Sequence, residues 1–226
     1  MDLKKEAALR AVELVTDKAI IGLGAGSTIA FMAAALQKTV DAGIDLSFIT
    51  SSYSTLQLLN KLHLPVLTAT SLSEIDIYFD GCDQLDKQLN ALKSGGGIHT
   101  QEKLLASMAK QFVLVGDESK LVDQFHVKYP LVLEILPQAC TYVIKEVINV
   151  FKSVKIEMRM GDKKDGPVIT ENGNYLADIF FEDWPPLASI NPVLKSITGI
   201  VDTSLFFGLA KKAVIAGKEG VVVLEK

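Results

Sequence analysis

Apolar positions along this chain fall into two alternating patterns, short uninterrupted runs and stripes at helical spacing. Within 5–15, Ala8, Leu9, Val12, Leu14 and Val15 share one helical face with charges opposite, and 19–23 is an apolar run that predicts a buried strand. A Gly/Ser/Thr turn follows at 24–28. Beyond it the Ala-rich stretch 29–36 predicts a helix, 46–49 a short strand and 55–62 another helix. Strands are predicted again at 66–67, 75–79 and 112–115, with a helix over 102–110 between the last two. This alternation predicts an open, mainly parallel sheet with helices on both faces. Such sheets bind ligands beyond the carboxyl ends of their strands.

The pattern changes after about residue 129. A strand at 131–135, a helix at 138–151, strands at 154–160 and 175–181 around a turn-rich connection at 161–173, a helix at 187–196 and a strand at 200–206 give the order βαββαβ. That is the ferredoxin-like split motif. Strands at 213–215 and 221–224 close the chain and are assigned to the first sheet. The expected fold class is α/β: a Rossmann-like, mainly parallel sheet domain, 1–128 plus 207–226, with a smaller ferredoxin-like α+β domain inserted at 129–206.

Composition narrows the chemistry. The 226 residues amount to about one and a half average domains, in keeping with a domain and a smaller companion. With 49% hydrophobic and 22% charged residues the chain is not disordered. Its 23 basic and 27 acidic side chains give a net charge of -4, so no global positive field draws nucleic acid or an anionic membrane. Neither is expected as a partner, and an anionic ligand has to be met by local lysines or backbone N–H groups. The apolar runs at 19–23 and 112–115 fall far short of the roughly 20 residues of a membrane span. Charges at Asp2, Lys4, Lys5, Glu6, Arg10, Glu13, Asp17 and Lys18 interrupt any signal-peptide core, and a soluble cytoplasmic protein is expected. Cys82 and Cys140 form no CxxC pattern and are expected as buried free thiols.

Four segments carry candidate chemistry. In Gly22-Leu23-Gly24-Ala25-Gly26-Ser27-Thr28, between a strand and a helix, alternating glycines let the backbone approach a ligand, and the N–H groups opening the helix suit a phosphate. A plain turn capped by Ser27 is the simpler alternative. The spacing is not GxGxxG, and the next strand ends in Thr50-Ser51-Ser52 without an acid to hold a ribose, so a small phosphorylated ligand fits better than a dinucleotide. The second segment, Asp80-Gly81-Cys82-Asp83-Gln84-Leu85-Asp86, puts carboxylates at a strand's carboxyl end; alone it could serve as an Asp-stabilised turn or bind a hard cation. The third, Lys93-Ser94-Gly95-Gly96-Gly97, has three consecutive glycines, costly for a plain connector, beside a lysine able to polarise a substrate oxygen. It leads to Glu102, which is either a favourable first-turn acid or a general base facing the loop. Lys103 is expected as a solvated neighbour. The fourth, Gly116-Asp117-Glu118-Ser119-Lys120, brings Lys120 to the same sheet edge, where it either meets a phosphate held by the first loop or is an exposed turn lysine. His99 is expected to make a local hydrogen bond at a helix start.

In this order the four segments resemble ribose-5-phosphate isomerase of type A, and the resemblance continues through Asp165-Gly166-Pro167-Val168-Ile169-Thr170-Glu171-Asn172-Gly173-Asn174-Tyr175. It implies interconversion of D-ribose 5-phosphate and D-ribulose 5-phosphate through an enediolate, with no metal and no cofactor. Carried over residue by residue, it implies Glu102 as general base, Lys93 as the cation on the enediolate oxygen, and Asp80 and Asp83 as acids that hold the sugar oxygens and assist ring opening. Gly26, Ser27, Thr28 and Lys120 match ligand-binding positions that include phosphate contacts, and Ala25, Gly81, Cys82, Ser94, Gly95 and Gly96 complete the expected substrate-binding set. The resemblance also implies a homodimer or homotetramer.

Four positions depart from the family's usual pattern: Ala25 for Thr, Ser94 for Gly, Gln84 for an acid and Gln101 for Arg. The last two remove one negative and one positive charge and are expected to be compensating halves of a lost ion pair. Loss of a cation beside Glu102 would remove something that favours its ionised form. A diverged paralogue, sensing a sugar phosphate or acting on another one as isomerase or deaminase, is the alternative these departures leave open.

Overall fold

The computed structural model describes residues 2–226. Its strands are β1 (Ile20–Leu23), β2 (Ser47–Thr50), β3 (Ile75–Asp80), β4 (Gln84–Leu85), β5 (Ala91–Leu92), β6 (Ala109–Asp117), β7 (Leu131–Ile135), β8 (Val154–Met158), β9 (Tyr175–Phe181), β10 (Ile200–Thr203), β11 (Leu205–Phe206), β12 (Lys212–Gly217) and β13 (Gly220–Glu225). The helices are α1 (Leu3–Val12), α2 (Ser27–Asp41), α3 (Tyr53–Lys61), α4 (His99–Met108), α5 (Cys140–Phe151) and α6 (Leu187–Lys195).

Six strands form the principal sheet in the order β13-β12-β6-β3-β1-β2, parallel except for the closing hairpin β12–β13. Its central strands are apolar where both faces are covered. One face packs Ile21, Leu23, Phe79 and Val113 against α1, α2 and α3, and the other packs Tyr78, Phe112 and Leu114 towards α4. In β1 a Cβ at Gly22 would fall 2.5 Å from Tyr78 Cδ2, so only glycine admits that ring. The first helix differs from its expected stripe. It ends at Val12, it buries Ala7, Ala8 and Ala11, and Leu9 is exposed, because small side chains let it lie close on β6 and β12.

The antiparallel sheet runs β10-β7-β9-β8 with α5 and α6 between its strands in sequence, the ferredoxin-like order. The strand expected at 200–206 is broken at Ser204. Ser204 N donates to the Val132 carbonyl at 2.8 Å and Ser204 Oγ accepts from Val132 N at 2.9 Å, after which the chain leaves this sheet. Its continuation, β11, joins a third sheet of order β11-β5-β4 that no sequence pattern announced. Two-residue strands are too short to show a period. Alternation nonetheless gives each face of this sheet its own core: Leu92 and Leu205 face the core of the antiparallel unit, Ala91, Leu85 and Phe206 that of the principal sheet. The expected strand at 66–67 reduces to one bridge between Val66 and Phe48.

No helix among the described residues is long and apolar enough to cross a membrane.

Candidate active site

The carboxyl ends of β1, β3 and β6 open on one edge of the principal sheet, and a cavity of about 290 Å³ lies there. It is lined by Ala25, Gly26, Ser27, Thr28, Gly81, Cys82, Asp83, Lys93, Gly95, Gly96, Glu102 and Lys120, all expected from sequence, together with Lys4, Val115, Gly116 and Asp117. Asp80 and Ser94 were expected there and do not line it.

Asp80 is wholly buried beneath the cavity. Its Oδ1 accepts from Ala25 N at 3.2 Å and Gly81 N at 2.8 Å, and its Oδ2 accepts from Tyr78 Oη at 2.7 Å and pairs with Lys93 Nζ at 2.9 Å. A Cβ at Gly24 would fall 2.0 Å from this carboxyl group, which is why the first turn needs glycine at that point. The carboxylate therefore ties the first turn, the β3 terminus and Lys93 together. Ser94 directs its hydroxyl to the Pro130 carbonyl at 2.6 Å.

Lys93 Nζ also donates to the Gly81 carbonyl at 2.7 Å and stands 3.4 Å from Glu102 Oε1. Burial works against its charge, but Asp80 and Glu102 outweigh it and hold the ammonium above its ordinary value. For Glu102, burial and the Asp80 charge raise the carboxyl to about 8 against the opposing pull of Lys93. Helix α4 starts at His99, so Glu102 sits in its first turn.

The glycine loop is held from both sides. Asp83 Oδ2 accepts from Ser94 N at 2.6 Å and Gly95 N at 3.0 Å, while the Oδ1 atom takes no donor among the described residues. From the antiparallel sheet Arg159 donates to the carbonyls of Ser94 and Gly95 at 2.8 and 3.0 Å, its guanidinium fixed by a two-point bridge to Asp178 at 2.6 and 3.1 Å. Sequence reasoning missed Arg159 because the loop carbonyls it holds lie about 65 residues away and no local pattern marks it. Gly97, at φ 74°, passes against Leu176, where a Cβ would fall 2.9 Å from Cδ1.

At the other end of the cavity α2 begins at Ser27. Its N-cap is Gly26 at φ 97° with no side-chain cap, so the alternative of a turn capped by Ser27 does not hold and the first-turn N–H groups stay open for an anion. Lys120 and Lys4 reach the same end, where Asp117 lies. Burial would raise Asp117, but hydrogen bonds from Ser119 and the charges of Lys120 and Lys4 hold it below its usual value. Lys4 was also missed, since a lysine on an N-terminal helix carries no local signal.

Other expectations need correction. Cys82 and Cys140 are free, but both are only partly buried; enclosure at the cavity pushes the Cys82 thiol up to about 12. The ring nitrogens of His99 are buried without the expected hydrogen bond, and burial followed by the Lys103 charge lowers it to about 4. Lys103 is buried, not solvated. Gln84 Oε1 accepts from His126 N at 2.8 Å and Gln101 Nε2 donates to Asn172 Oδ1 at 2.5 Å; the two glutamines are not partners, and neither lines the cavity. The cluster of Asp80, Asp83 and Asp86 diverges, with Asp86 bonded to Asn90. Among the described residues no group of three or more His, Cys, Asp or Glu is placed to hold a metal ion.

What this arrangement can do is hold an anion at one end and move a proton beside a fixed cation at the other. The model of the ribose 5-phosphate isomerase A (phosphoriboisomerase A) family matches residues 47–220. Ribose-5-phosphate isomerase A of Pyrococcus abyssi is 35% identical over 100% of this chain and 98% of its own length, and that of Methanothermobacter thermautotrophicus 37% identical over 99% and 98%. The solved ribose 5-phosphate isomerase A of Methanocaldococcus jannaschii superposes with a TM-score of 0.92 at 35% identity, covering 100% of this chain and 99% of that one. A D-ribose-5-phosphate isomerase in complex with phospho-erythronic acid superposes at 0.93 with 34% identity, covering 100% and 98%. With the matched model spanning well over half of its length and these relatives covering it end to end, this chain belongs to the ribose 5-phosphate isomerase A family.

Proposed function

We propose that the protein interconverts D-ribose 5-phosphate and D-ribulose 5-phosphate through an enediolate, with Glu102 as the base. The observation that carries this reading is the buried pair of Lys93 and Glu102, 3.4 Å apart at the cavity wall and opposite the uncapped start of α2. The N–H groups of Ser27 and Thr28, with Lys120 and Lys4, take the phosphate. The family relatives support the pentose phosphate, and the ligand of one of them, phospho-erythronic acid, joins a phosphate to a planar carboxylate shaped like an enediolate.

In the open-chain aldose Glu102 removes the proton on C2. The electron pair forms the C1–C2 double bond, and the charge that moves to O1 is met by Lys93 in a largely dry site. Glu102 then returns the proton to C1 as the O2 hydroxyl loses its own and C2 becomes the ketone carbon. Asp83, with Oδ1 free of donors among the described residues, is assigned the hydroxyl protons, in ring opening and in the transfer from O2 to O1. Asp80 is assigned the task of holding Lys93. The raised Glu102 makes a stronger base than an ordinary carboxylate.

The division into 1–128 plus 207–226 and 129–206 belongs to the same reading, supported by sheet membership except that β11 rejoins the first unit two residues early. A homo-oligomer and a cytoplasmic location complete it. The test adds ribose 5-phosphate to chelator-treated protein and follows ketose formation beside a panel of other pentose phosphates. Turnover of ribose 5-phosphate above the others is expected. Binding without turnover would favour a sensor, and preference for another sugar a diverged isomerase.

A further inference from the structure

Lys103 follows the proposed base in sequence but takes no part in the proposed proton transfer. It is 9% exposed, and its ammonium donates to Asp202 Oδ1 at 2.9 Å and to the Thr203 carbonyl, with Thr203 Oγ1 at 3.3 Å. It also stands 5.2 Å over the ring of Phe206. Thr203 in turn donates to Asn191 Oδ1 on α6 at 2.5 Å. One side chain of α4 is thus tied to β10, to α6 and to the seam strand β11. Burial pulls the Lys103 ammonium below its ordinary value and Asp202 only partly restores it. A buried ion pair is a poor source of stability, because desolvation offsets the attraction. Its geometry is the better explanation. Successive helical residues are about 100° apart, so fixing the direction of Lys103 fixes that of Glu102.

We propose that Lys103 is a positioning residue for the isomerisation: docked on Asp202 and Thr203, it sets the rotation of the first turn of α4 and so aims Glu102 into the cavity. The proposal rests on the reading of Glu102 as base. In this arrangement the antiparallel unit acts on both sides of the reaction centre, holding the glycine loop through Arg159 and the base through Lys103.

The test compares kcat and KM for ribose 5-phosphate in wild type, Lys103→Met, Asp202→Asn and the double variant, at a temperature where each is folded by circular dichroism. The anion end is untouched, so KM stays within about twofold while kcat falls about 10- to 100-fold in Lys103→Met, the scale of a small misplacement. The double variant falls no further, since the two residues act as one unit. Folded variants that melt earlier but keep wild-type kcat would overturn the proposal. Should Lys103→Met not fold, Asp202→Asn, which removes the charge that docks the Lys103 ammonium while keeping the side chain's shape, carries the same kcat criterion. An inactive wild type would count against the functional reading alone; the clamp is then read from the Glu102 carboxyl titration by carbon NMR. That titration falls towards the ordinary carboxylate range in Lys103→Met if the turn is released, and an unchanged titration overturns the proposal.

Discussion

At the Glu102 end of the cavity Lys93 holds Asp80 and Glu102 at 2.9 and 3.4 Å, and all three are buried. At the Ser27 end, Gly26, Ser27 and Lys4 are exposed, Lys120 is half-buried, and neither lysine makes an ion pair among the described residues. The first end is set before a ligand arrives, so charge developing in a reaction meets groups that need not reorganise. The second works by open N–H groups and unspent charge, which attract an anion from a distance and are screened by salt. In a protein of net charge -4, the open N–H groups and unpaired lysines of the second end are the groups suited to draw an anionic ligand.

The sharpest way to break this contrast is Lys93→Met. At the buried end it should lower kcat about 10²- to 10³-fold, the loss typical of a removed oxyanion partner, with KM changed far less. Steady-state kinetics with ribose 5-phosphate reads both constants. At the open end Lys120→Met should do the reverse, raising KM about tenfold with kcat kept, because a contact to the phosphate is equally strong in ground and transition states. Added salt should raise the wild-type KM more than that of Lys120→Met.

A smaller effect sharpens the comparison through stability. Glu102 has its carboxyl raised to about 8 by burial. Between the ordinary carboxylate range and about 8 the unfolded chain releases this proton while the folded chain keeps it, so the folded state loses stability as pH rises through that window. Glutamine has no proton to lose. Glu102→Gln should therefore melt above wild type at pH 9 and show no gain at pH 4, as read by thermal denaturation.

The same contrast separates what the sequence could tell from what it could not. The turn at the open end was legible because its parts are contiguous, a strand, alternating glycines and a helix start within 20–28, whereas Lys4, which comes from α1, was not. Lys93 and Glu102 were legible through the glycines between them and the family pattern. Residues acting across elements were not. Asp80 reads locally like any carboxylate at a strand end, and only the fold places it under Lys93. Lys103 looked solvated because it adjoins a residue facing the cavity, although its own direction meets Asp202. Arg159 has no local pattern at all, and the break at Ser204 is hidden because Leu205 and Phe206 beyond it continue the apolar reading of a strand. The paired loss of charge at Gln84 and Gln101 suggested proximity, but each glutamine has its own hydrogen-bond partner.

The central claim is that Glu102 moves the proton between the first two carbons of the sugar. Its most direct test is kcat for ribose 5-phosphate in wild type and Glu102→Gln, with phospho-erythronic acid binding measured on both. Wild type should turn over ribose 5-phosphate, and Glu102→Gln should lose about 10²- to 10⁴-fold in kcat with binding retained. Full turnover by Glu102→Gln would contradict the claim.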